Sequence, residues 1–174
     1  MVTRPDFNSL PDFYKNYVLY VQDSDVWGAL RQSGDVTQAF LKSIPSDKQD
    51  FRYADGKWSI REVIVHVMDA ERVFAYRALR FARNDQTELP GFEQNDWVPE
   101  SNAHSRSIGN LADEMKRLRS TTIDLFESFT SEMLSRKGAA NKSVISVLNL
   151  GYVIAGHETH HRTILMDRYV NNFS

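Results

Sequence analysis

The sequence contains no cysteine. Disulfides and thiolate metal ligands are therefore excluded, and any bound metal must be held by His, Asp or Glu. Long apolar runs are also missing. The longest such stretches fall far short of the roughly 20 residues that a membrane-spanning helix needs. Residues 1–13 hold no continuous apolar segment of the kind a secretory signal requires, so the expected location is the cytoplasm. Charge of one sign is not in excess, the formal net charge being −2 over 174 residues. That leaves no electrostatic case for nucleic acid or an anionic membrane surface. Internal repeats, low-complexity segments and a convincing pair of strands are absent as well.

What is present reads as one soluble domain over residues 1–174. Apolar residues make up 41% and charged residues 25%, ordinary values for a globular chain long enough to bury a full core. Pro5 and Pro11 open the chain, and Tyr14, Tyr17 and Tyr20 follow at helical spacing, which suggests a lead-in arm or short helix. A first long helix is expected from about Ser24, as N-cap, to Ile44. Leu30, Val36, Phe40 and Leu41 supply its buried face, and Pro45 stops it. A second is expected from Ile60 to about Arg83, opened by the capping-box spacing of Ser59 and Glu62. His66, Asp69, Ala70, Val73 and Arg77 fall on one of its stripes. Residues 84–106, interrupted by Pro90, Gly91 and Pro99, read as neither helix nor strand. A third helix should follow cap Ser107 to about Phe129, and a fourth should follow cap Ser143 to about Tyr169. The resulting fold class is all-α, a four-helix bundle.

The chemistry of the chain concentrates near its end. His157 and His161 lie four residues apart, which stacks them on one helix face. Both fall inside the apolar stripe of the fourth helix, and His66 falls inside that of the second. Burying an imidazole without a partner costs roughly 1–3 kcal/mol. Three in one core are explained together by a shared divalent transition metal, for which zinc, nickel and iron all suit neutral imidazole. Three ligands from one side leave coordination positions open, as catalytic sites do. Asp69 stands one turn from His66 and could orient its ring, or pair with Arg72 instead. Arg77 faces inward, suiting a buried ion pair or a substrate contact. His160 is turned away from the ligand line, and His104 has no supporting pattern.

Residues 157–161 also spell H-E-x-x-H, in which Glu158 would be the general base of a zinc protease. The continuation argues against a protease. Ile164 and Asp167 stand where the metzincin pattern requires glycine and histidine, and no edge strand is available to hold a peptide.

Two stretches resemble the DinB-like superfamily. Gly56 to Val63 followed by His66 to Asp69 is similar to its second-helix motif. Gly156 to Arg162 with Ile164, Leu165, Arg168 and Tyr169 is similar to its final-helix motif, and Pro90-Gly91-Phe92 also fits. The resemblance implies a four-helix bundle of up-down-down-up connectivity, often a homodimer, with a metal held by His66, His157 and His161. It further implies a small-molecule substrate. Some members are thiol-dependent transferases or isomerases in which the metal activates a low-molecular-weight thiol. The expected activity is therefore transfer of such a thiol to an electrophile. The alternatives are metal-assisted hydrolysis with Glu158 or Asp69 as base, and a non-enzymatic bundle that binds a metal or small ligand.

Overall fold

Ser59 opens the longest helix of the computed structural model, which describes residues 7, 10–23 and 25–173. Its hydroxyl accepts from the Glu62 amide, and the Glu62 carboxylate accepts from the Ser59 amide at 2.7 Å, closing the capping box. In chain order the elements are α1 (Asp12–Val18), α2 (Val26–Ser43), α3 (Ile60–Ala82), α4 (Gln94–Glu100), α5 (Ile108–Glu127), α6 (Ser131–Ser135), β1 (Lys137–Ala140), β2 (Ser143–Ser146) and α7 (Val147–Ile164). The helix continues as a π turn over Leu165–Tyr169. The long helices α2, α3, α5 and α7 form the bundle, and among the described residues no helix is long and apolar enough to cross a membrane.

Among the four long helices the packed pairs are α2–α7, α2–α5, α3–α5 and α3–α7. Successive helices α2 and α3 therefore sit on a diagonal. Val26 lies against Gly151 and Thr37 against Arg162, so α2 runs parallel to α7. Arg31 meets Glu127 while Gln38 meets Ala112, so α2 and α5 are antiparallel.

Two apolar clusters fill the bundle, one built on Leu30, Phe74, Phe126 and Leu150, the other on Leu41, Ile64, Leu111 and Leu165. Between them every long helix turns polar at mid-length. Ser33 and Thr37 of α2, His66 and Glu71 of α3, Arg119 and Thr122 of α5, and His157 and Glu158 of α7 are all buried. Arg119 joins all four helices. Its Nε and Nη2 donate to the Glu71 carboxylate at 3.0 and 2.8 Å, and its Nη1 donates to Leu30 O and Ser33 Oγ at 2.8 and 2.7 Å. Glu158 Oε2 lies 2.5 Å from Nη2 in a buried ion pair. Burial opposes the charge on this guanidinium, but Glu158 and Glu71 overcome it and raise its pKa above the usual value.

Several sequence expectations are revised. Ser24 lies outside the described residues, and Asp25 is the cap of α2, accepting from the amides of Trp27 and Gly28. Val36 is 46% exposed instead of buried. The segment 84–106 contains α4, capped by the Glu93 carboxylate, and a 3₁₀ turn at Ala103–Ser105. Pro99 removes only one internal hydrogen bond from so short a helix. A hairpin replaces the expected start of the last helix: β1 pairs antiparallel with β2 through Asn141 and Lys142, whose φ values of 50° and 61° suit a tight primed turn. The cap of α7 is consequently Ser146, not Ser143.

Candidate metal centre

His66 on α3 and His157 on α7 are each 4% exposed, and His161 is half-buried one turn along α7. One ring nitrogen from each residue lies within 4.8 Å of the others. The ring centroids are 5.1 Å apart for His66 and His157, 4.9 Å for His66 and His161, and 4.5 Å for His157 and His161. Among the described residues none of the three rings makes a hydrogen bond. Aromatic edges position them instead: Trp58 packs on His66 at 5.0 Å, and Tyr17 and Phe74 pack on His157 at 4.9 and 6.0 Å. Tyr17 reaches the site because α7 has no side chain at Gly156. A Cβ there would stand 2.2 Å from the Tyr17 carbonyl oxygen.

Burial sets the charge state of the cluster. It pushes His66 down to about 4, and it pushes His157 and His161 well below the ordinary histidine value, with mutual repulsion adding to the effect. The rings are therefore neutral near pH 7, each with a lone pair to give. Three neutral nitrogen donors at this spacing, with no cysteine in the chain, fit a zinc, nickel or iron ion.

Both carboxylates named from sequence as candidate bases meet a guanidinium. Glu158 turns to Arg119 in the polar layer. Asp69 pairs with Arg72 at 3.1 Å, and Arg72 also reaches Glu114 at 2.5 Å. Burial raises the Asp69 pKa, against the pull of Arg72. Arg77 is buried and donates to Pro90 O at 2.8 Å, tying the long connection to α3. His160 stands beside the cluster, its ring 5.2 Å from that of His161 and flanked by Tyr17 and Tyr20. His104, which had no pattern to support it, bridges two carboxylates. Its ring nitrogens lie 2.9 Å from Asp50 and 3.2 Å from Glu62, and Arg61 donates to its carbonyl oxygen at 2.8 Å.

Sequence reading also missed Arg119, Tyr17 and Trp58. Arg119 had left a signal, since it follows Met115 by four residues and so interrupts an apolar stripe. Tyr17 of α1 and Trp58 just before α3 meet the histidines only through tertiary packing, which local spacing does not show.

A helical bundle carrying three convergent histidines at its polar mid-layer defines the class of protein. The chain belongs to the DinB superfamily, whose model matches residues 29–165. A protein of Geobacillus thermodenitrificans, provisionally named a metal-dependent hydrolase, is 25% identical over 150 residues, 83% of each chain. A similarly named protein of Oceanobacillus iheyensis is 24% identical over 136 residues, 76% of each. YfiT from Bacillus subtilis, described as a probable metal-dependent hydrolase with an unusual four-helix bundle topology, superposes with a TM-score of 0.63 at 18% identity, covering 95% of this chain and 92% of its own. A DinB-like protein from Bacillus subtilis superposes with a TM-score of 0.61 at 17% identity, covering 84% and 90%. At such identities the two structures show the fold.

Proposed function

We propose that the protein is a metal-dependent hydrolase of small molecules, with His66, His157 and His161 as the metal ligands. The observation that carries this reading is the convergence of three neutral imidazoles, two buried and one half-buried, within 4.8 Å. When bound, a divalent ion supplies Lewis-acid activation of water and of the scissile group. The protein's own part is to hold the donors neutral by burial and to fix their rings with Trp58, Tyr17 and Phe74. The family resemblance alone points first to thiol transfer, but the names of the relatives favour hydrolysis. In this reading Glu158 and Asp69 are positioning residues, since each carboxylate is engaged by a guanidinium.

Elemental analysis of untagged protein tests the reading, with wild type beside a His157→Ala/His161→Ala variant. About one zinc, nickel or iron per chain is expected in the wild type and none in the variant. The metal-loaded wild type should then hydrolyse simple esters or amides saturably. Failure of both proteins to take up metal, even when it is added back, would overturn the proposal.

A further inference from the structure

A groove of about 580 Å³ lies between α2 and α5, a size ordinary for small-molecule sites. Lys42 of α2 and Lys116 of α5 line it, both exposed, and among the described residues neither has an ion-pair partner. Arg31 adds a third cation, paired with Glu127. Asp35 is the acidic residue among the exposed ones lining the groove.

The interior differs from the rim. Met115 is buried and Ile123 half-buried, giving an apolar wall. Arg119 and Glu158, both buried, also line it. The guanidinium is already committed to Glu71, Leu30 O, Ser33 and Glu158, so it offers the groove no free donor. Unmatched positive charge therefore sits at the rim, above an apolar surface. Met115 and Glu158 also border a void of about 10 Å³ that His161 lines, so the groove and the histidine cluster share a wall.

We propose that this groove is a binding site for a small organic anion, an apolar body bearing one carboxylate or phosphate. The head takes the lysine rim and the body lies on Met115 and Ile123. An isolated anion lacks the apolar contact, and a neutral aromatic lacks the charge, so both bind more weakly than the combination. The site is separate from the histidines and needs no metal.

Amide NMR titrations of the whole protein with benzoate, phenyl phosphate, inorganic phosphate and benzyl alcohol test this. Benzoate or phenyl phosphate should shift the resonances of residues 34–42 and 115–123 saturably, and comparison of the two identifies the preferred head group. Inorganic phosphate and benzyl alcohol should bind about tenfold more weakly or worse. Lys42→Glu/Lys116→Glu should weaken the aromatic anion by about tenfold or more, and Ala39→Trp should block it by filling the groove. No saturable shift up to about 10 mM, far weaker than small ligands of functional sites, would overturn the proposal. So would shifts confined to the histidine cluster, or benzyl alcohol binding as tightly as benzoate. The last comparison uses only the wild type and stands even if a variant fails to fold.

Discussion

Replacing Arg119 with methionine is expected to destabilise the bundle by about 3–5 kcal/mol, the range for breaking a buried ion pair by removing one partner. The structure places this substitution at the severe end. The Arg119 side chain is 6% exposed, and those of Glu71 and Glu158 are each 2% exposed. Methionine fills most of the volume but leaves both carboxylates buried without a cation, and leaves Leu30 O and Ser33 Oγ without their donor. For a chain of this length about 1 kcal/mol corresponds to about 2–4 °C, so the midpoint should fall by roughly 10 °C. Urea denaturation followed by circular dichroism measures the loss. The triple variant Arg119→Met/Glu71→Met/Glu158→Met removes the stranded charges together with their partner and should recover most of it. A loss below about 1 kcal/mol in the single variant, or a triple variant no more stable than the single, would refute the reasoning.

Acid should destabilise the metal-free protein through its neutral core histidines. His66 protonates near 6.5 when unfolded and only at about 4 when folded. Its stabilising contribution is complete above pH 6.5 and is lost as pH falls toward 4, at about 1.4 kcal/mol per pH unit, about 3 kcal/mol in all; a flat urea midpoint across that interval would contradict it. Gly156→Ala should drive α1 from α7, because the new Cβ meets backbone 2.2 Å away, costing about 1–3 kcal/mol and altering tyrosine fluorescence. Glu158→Gln should keep its metal and retain hydrolysis within about tenfold; a fall of about 10²-fold or more with metal intact would instead make Glu158 a general base.

Much of the fold was legible in local signals. The capping box at Ser59 and the hydroxyl cap at Ser107 fixed two helix starts, because a cap needs only the amides that follow it. The hairpin at Lys137–Ser146 was not legible. Its strands are four residues each, too short to show alternation, and Gly138 sits in β1 because a Cβ there would strike Phe81 on a distant helix. The cap of α2 depended on whether Asp25 or its neighbour meets the first amides, which spacing does not decide.

The sequence by itself determined that the chain is helical, that metal ligands must be histidines or carboxylates, and that His157 and His161 share one face, since periodicity and composition are local properties. Only the tertiary structure decided what the Glu158 carboxylate meets. H-E-x-x-H offers Glu158 as a base, but α5 brings Arg119 to it. Asp69, by contrast, pairs with Arg72 three residues along its own helix, an alternative already open in the sequence. The charge state of the histidines was likewise decided by folding, because desolvation exists only once the bundle has closed around them.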